Sequence, residues 1–600
     1  ALFQLKSIVQ IIYEKDYRFA QPPETPTLTA SPGDGFVMLT WDDDADKLTR
    51  DPFLGNINDF EGYKLFRSTD KYFSDSEVIT DGHGTPMFLK PIYQCDLVND
   101  YVGFTDFGLV NGTAYNLGDN TGIKHYFKDE NVDNGRTYYY AIVAYDYGAP
   151  DIGPGISPSE NTTVIDVDEY DNIRGIGKNV AIVTPQADPA GYVNPDILLD
   201  SLNSIMVGTG SIQIDIAVKE QLKEGNDYYV TFDFDTVFND FDRPSHFINP
   251  GFKVFNKTTN QMIYNESPTY ELTGQPNFSA SNLVYNQEGD YWSMSNELVS
   301  DVFDGLQVEI DQGVEVPKYS YEGSGWINGS GIMRITPTNI EALRLAWKYN
   351  IVFTDDDSAY VGVARSGTVR DETGTSIGSN KITEPAVNFY VQNTSFIDTI
   401  TGQYPLMDVV VHDVNNNDTL EIGIDRFFIG ATVGSRWRAT AFVMDFQLDA
   451  GASYPSGEAV YQVDWERPFF LTDTIRFTVG SENAIEDSIV QSDLDSIKVV
   501  PNPYVMTNLL EESIYNTDFN QRRMLMFTNL PSKCYIEIYT TSGVLVDRIE
   551  VNNSIDNGVA YWDLLTNESL EVAAGMYVYY VKSLMFNNEA EKIGKFAIIK

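Results

Sequence analysis

The sequence predicts an all-β chain of several β-sandwiches with few helices, and three observations carry that prediction. Runs such as Tyr138, Tyr140, Ile142 and Ala144 put apolar side chains at every second position, the period of a half-buried strand. Tyr alone supplies 37 of the 600 residues, and Gly and Asn punctuate the apolar runs, a composition that favours sheets and tight turns. The length suggests three to five domains, and a 42% hydrophobic content is enough to fill their cores.

Residues 1–20 form an N-terminal apolar segment. Leu2, Phe3, Leu5, Ile8, Val9, Ile11, Ile12 and Tyr13 are spaced by polar residues, and Pro22-Pro23 cuts the run off. A strand and a short helix are both compatible with it. The following domain looks complete without it, so the segment is a candidate donor strand for a neighbouring sheet edge. The chain begins at Ala1 without a signal peptide, as a processed or truncated form would.

Residues 21–165 contain Phe36-Val37-Met38-Leu39-Thr40-Trp41, Gly62-Tyr63-Lys64-Leu65-Phe66-Arg67-Ser68 and a tyrosine-rich run over 138–146. This order resembles a fibronectin type III domain, with Trp41 in its core. Trp41 and Tyr138 lie further apart than in that family, which implies an insertion near residues 70–130. The resemblance implies a spacer or adhesive module.

Residues 166–385 and 386–490 read as two central β domains, with Thr383-Glu384-Pro385 as the candidate boundary. Strand patterns occur at 211–218, 228–234, 406–411, 439–444 and 474–479. One helix is predicted over Ile340–Trp347, capped by Thr338-Asn339.

Residues 491–600 contain Val499-Val500-Pro501-Asn502-Pro503-Tyr504, then Tyr535-Ile536-Glu537-Ile538-Tyr539 with Ser542-Gly543 as the turn. Tyr561-Trp562-Asp563, Gly575-Met576-Tyr577-Val578-Tyr579-Tyr580 and a final strand ending at Lys600 follow. Alternation and turn residues predict a β-sandwich with Ile536 and Ile538 inward. From residue 497 onward the order of pieces resembles the C-terminal sorting domain of type IX secretion substrates; the polar stretch 505–523 is longer than that family's opening loop. An ordinary immunoglobulin-like end domain is the other reading. The sorting-domain resemblance implies contact with the type IX secretion machinery, passage through a bacterial outer membrane and an extracellular or cell-surface location.

The formal charge of −47 disfavours nucleic acid and anionic lipid as partners and suits hard cations. No apolar stretch is long enough to span a bilayer as a helix. Cys95 and Cys534 are too few for a disulfide framework and are expected as buried thiols. The four histidines form no metal-ligand pair, and no nucleophile elbow or phosphate loop is present, so an enzyme is not expected. A paired-carboxylate glycosidase stays open among 87 acidic residues.

For a metal, the candidates are Asp413, Asn415, Asn417, Thr419, Glu421 and Asp425, whose alternating oxygens could wrap calcium. Asp418 stands where calcium loops usually have Gly, and Ile424 where a bidentate Glu is expected; an Asn-rich turn is the competing reading. Asp42-Asp43-Asp44 with Asp46 reads as a solvated loop. The triplet Asp-Ser/Thr-aliphatic (Ala, Ile, Leu or Val) resembles an O-glycosylation acceptor of exported Bacteroidota proteins. It places candidate acceptors at Ser201, Thr236, Ser358, Thr399, Thr419, Thr474, Ser488 and Ser496. Together these features predict an extracellular structural or adhesive surface protein that self-associates. A secreted carbohydrate-binding or glycan-hydrolysing protein is the alternative.

Overall fold

The computed structural model describes residues 20–599 apart from 77, 81–85, 110–112, 153–154, 194, 239–243, 250, 267–284, 288–289, 293–296, 315–316, 339–344, 357–359, 362–365, 383–384, 399, 447–453, 456, 481–493, 512–522, 555–556 and 585–589. The protein is an all-β, multidomain chain, and its described residues form four sandwiches. Among the described residues its helices are one short α-helix, Asp44–Leu48, and two 3-10 turns.

The first sandwich pairs a three-stranded sheet (Leu28–Pro32, Val37–Trp41, Tyr126–Asp129) with a four-stranded one. The order in the second sheet is Val180–Val183, Tyr138–Asp146, Phe60–Ser68, Tyr93–Asp96. This is the strand order of a fibronectin type III domain. Its seventh strand lies at Val180–Val183, past residue 165, because a long excursion with its own hairpin (Ile165–Val167 with Ile173–Ile176) separates the last two strands. The Tyr138–Asp146 strand is buried on both faces rather than one. Tyr140 and Ile142 fill the core between the sheets. On the opposite face, Tyr145 packs against Tyr115 and Leu117 of the insertion.

The two central domains are nested rather than consecutive. One sandwich has a five-stranded sheet in the order Ile197–Leu199, Thr474–Val479, Asp227–Phe232, Phe252–Asn256, Gln261–Glu266. Its second sheet is Ser211–Ile216, Leu306–Asp311, Glu297–Val299. Thr474–Val479 thus sits between strands some 250 to 280 positions earlier in the chain. The intervening residues 318–466 form the inserted sandwich. Its sheets are Gly325–Asn328, Val460–Val463, Tyr349–Phe353, Phe389–Asn393, and Arg334–Pro337, Arg436–Asp445, Arg426–Val433, Asp408–His412, Lys381–Ile382. Lys381–Ile382 and Phe389–Asn393 belong to this same unit, so the boundary at 383–385 is not a domain boundary. The predicted helix falls largely on 339–344, outside the described residues. Leu345 to Lys348 are non-helical and lead into the Tyr349 strand, with Trp347 packed edge-on to Phe396, 4.7 Å between ring centres.

The C-terminal sandwich combines Lys498–Val500, Leu525–Thr528, Ala560–Trp562 with Tyr504–Val505, Glu591–Ile599, Gly575–Ser583, Lys533–Thr540, Leu545–Asn552. Ile536 and Ile538 are fully buried, and Gly543 takes the left-handed φ of +83° that the hairpin turn requires. Cys95 and Cys534 are buried free thiols, and burial pushes both up to about 12.

Candidate functional site

The joints between the four sandwiches hold the most chemically organised side chains. Between the first and second domains, His125 lies between two carboxylates. Its Nδ1 is 2.9 Å from Asp301 and its Nε2 3.2 Å from Asp46, while its backbone N–H donates to Asp301 at 3.0 Å. Tyr63 donates its hydroxyl to the same Asp46 oxygen at 2.8 Å. Burial pulls the imidazole down, but Asp301 and Asp46 outweigh it and raise His125 to about 9. Asp46 therefore stands in the short Asp44–Leu48 helix as half of an interdomain clasp, not in a solvated loop.

Between the nested domains the strand connection is tied by buried charge. Arg467, 3% exposed, donates Nε–H to the Val207 carbonyl at 2.6 Å and Nη1–H to Asp464 at 2.9 Å. Asp473, 0% exposed, accepts the backbone N–H groups of Val207, Gly208 and Phe470 at 2.7, 2.8 and 3.0 Å. Phe469 stacks on Phe232 with ring centres 4.0 Å apart. The C-terminal sandwich is pinned to the segment that joins the first two domains: Ala190 donates to the Leu530 carbonyl at 3.1 Å and Gly558 to that of Ala187 at 3.2 Å. Gly558 leaves room for this approach, since a Cβ there would lie 2.6 Å from the Asp188 carbonyl oxygen. Beside this joint lies a cavity of about 930 Å³ whose lining includes Glu511, Asp547, Tyr561, Asp563 and Glu571.

The candidate calcium residues are brought together by the turn between Asp408–His412 and Arg426–Val433. Asp413 and Asp425 are each 1% exposed. Asp413 accepts backbone N–H groups from Asn417 and Asp418 at 3.1 and 2.7 Å; Asp425 accepts those of Val414 and Glu421 at 3.1 and 2.7 Å. Burial opposes ionisation of Asp413, but the N–H groups outweigh it and hold the carboxyl below its usual range. Asn415 and Asn417 direct amide N–H groups to Glu421, and Thr419 donates its backbone N–H to Asn417 at 2.9 Å. Asn416 and Asp418 hold the left-handed φ that Asn and Asp tolerate best after Gly. Among the described residues no three His, Cys, Asp or Glu side chains converge as a metal centre. In this arrangement the carboxylates serve as backbone caps. A cation bound here makes chelator lower the melting temperature, a difference that Asp413→Ala removes; equal melting with and without chelator would leave the carboxylates as backbone caps alone.

Of the candidate glycan acceptors, Ser201, Thr419 and Ser496 are exposed. Thr474 is half-buried in a central strand, directly after the buried Asp473. Thr236 belongs to the hairpin of Asp235–Phe238 with Pro244–Ile248. Ser358, Thr399 and Ser488 lie outside the described residues, as do residues 1–19.

No family model and no curated protein sequence matches the chain. Among solved structures, PorZ, described as an essential bacterial surface component of the type-IX secretion system of Porphyromonas gingivalis, aligns with 77% of this chain and 68% of its own at 13% identity and a TM-score of 0.14. Dimeric latent PorU from Porphyromonas gingivalis aligns with 68% of this chain at 11% identity and a TM-score of 0.13, and this chain covers 34% of it. A tetra-tandem repeat from the extending region of a large adhesion protein aligns with 96% of this chain and 99% of its own at 9% identity and a TM-score of 0.10. The architecture rests on the strand orders given above.

Proposed function

We propose that this chain is an extracellular structural or adhesive surface protein, exported by a type IX secretion system with residues 497–600 as its sorting domain. One observation supports the reading most. The motif pieces that lie far apart in sequence fold as one sandwich in which the first meets the last: Tyr504–Val505 runs parallel to Ile598–Ile599, and Trp562, Tyr577 and Phe596 share one core. The same proposal includes O-linked glycan at the exposed Thr419 and Ser496. It also includes a calcium ion that would replace the internal hydrogen bonds of Asp413 and Asp425, and no covalent chemistry. Fusing residues 497–600 to a periplasmic reporter is expected to send the reporter to the surface of a host carrying the type IX machinery. A reporter retained in the periplasm would remove the export assignment.

A further inference from the structure

The outer edge of the second domain's five-stranded sheet exposes five large apolar side chains, Leu198, Leu199, Leu202, Ile205 and Met206, around a single charge, Asp200. Residues 197–206 run along the Thr474–Val479 strand: Leu199 pairs with Phe477, and Ile205 bridges Thr474. The Ile197–Leu199 strand ends the sheet, with no ladder partner on its other side among the described residues. Ile197 packs on the core, but Leu198 on the opposite face and Leu199 beyond it are both 56% exposed, so the strand is open on both faces at its second half. Leu202, Ile205 and Met206 continue the run at 94%, 56% and 56% exposure. Leu471 adds 67% exposure from the turn that Asp473 ties to Val207 and Gly208. Monomeric proteins protect such edges with charge, proline or a covering segment, and a contiguous apolar rim of this kind marks an interaction surface.

We infer that this rim accepts residues 2–13 of a second copy of the chain as an added strand. Charge selects that occupant. The whole chain carries −47, so one folded body approaching another meets strong repulsion. Residues 2–13 instead carry a single charge, the basic Lys6. Their apolar residues match the rim in character, and an added strand satisfies the free backbone groups at the edge. Donor and acceptor are different surfaces, so the contact is head-to-tail and propagates. The inference rests on the structural-protein reading but not on export: a reporter retained in the periplasm leaves it intact, and a chain that stays monomeric leaves export intact.

The test uses the full chain with Leu5→Cys and Leu202→Cys, in an equal mixture of isotopically heavy and light copies, oxidised and read by mass spectrometry. Disulfides joining heavy to light chains are expected, together with sedimentation that rises with concentration. Leu202→Glu, at a position too exposed to matter for folding, is expected to weaken the assembly at least tenfold with an unchanged melting temperature. Cross-links confined to single copies would place the segment on its own chain and overturn the inference. A wild-type chain that is monomeric at all concentrations, or assembly that Leu202→Glu leaves unchanged, would overturn it equally.

Discussion

Asp473→Ala is expected to destabilise the nested pair of central domains by about 3–5 kcal/mol, among the largest effects of any single substitution in the chain. The carboxylate is fully buried and accepts three backbone N–H groups from two separate segments. Truncation leaves all three donors without a partner in a site that water does not reach, and each costs roughly 1–3 kcal/mol. The segments it joins are those where the chain returns from the inserted domain, so the loss falls on the connection between the units. Denaturant unfolding should show a lower midpoint. Asp473→Asn should be milder, since its single carbonyl oxygen can still serve some of the donors. A midpoint within 0.5 kcal/mol of the parent for the alanine variant would show that the carboxylate does not hold this joint.

The second large effect is a loss of stability with rising pH at the joint between the first two domains. His125 has a folded value near 9 against 6.5 when unfolded. Its contribution is fully present below pH 6.5 and is lost as the pH rises through 9, with a total of roughly 3 kcal/mol. The buried Glu61, raised to about 8 first by desolvation and opposed by Asn99, tilts the profile the same way between pH 4.5 and 8. The measurement is therefore the difference between the parent and His125→Gln. Unfolding free energies of the two are expected to converge toward pH 9 and to separate below pH 7. Parallel profiles across that window would assign the pH dependence to other groups.

Much of the local architecture was legible. Thr474–Val479 and Ser211–Ile216 follow their alternation, and the fibronectin-like order needed only Trp41, the Tyr63 strand and the tyrosine run. Partner choice was not legible, because backbone pairing leaves no mark in local periodicity. Nothing near residue 474 announces that its neighbours are Ile197–Leu199 and Asp227–Phe232, so nested domains read as consecutive ones. The second buried face of Tyr138–Asp146 was hidden for a related reason: an insertion supplies its cover, and alternation alone reports one face. The joints were missed because their chemistry is assembled from distance. His125 and Asp301 are 176 positions apart. The sequence places Asp473 in a candidate acceptor triplet, whereas its side chain caps a buried turn. The signal that would have helped is the shortage of cations: a buried carboxylate in so acidic a chain must find backbone donors or a histidine.

The nesting of residues 318–466 also sets how the protein bears load. A pull applied at the two ends enters the second sandwich through Ile197–Leu199 and leaves it through Thr474–Val479, two strands hydrogen-bonded side by side. While that pairing and the rest of the sheet hold, tension bypasses the inserted sandwich. Its extra length is a reserve. Ile197 faces Val479, so the pull enters and leaves at the same end of an antiparallel pair, and the reserve is released once that pair peels apart. A chain pulled at its two ends would yield by the contour of a whole domain before any covalent link is strained.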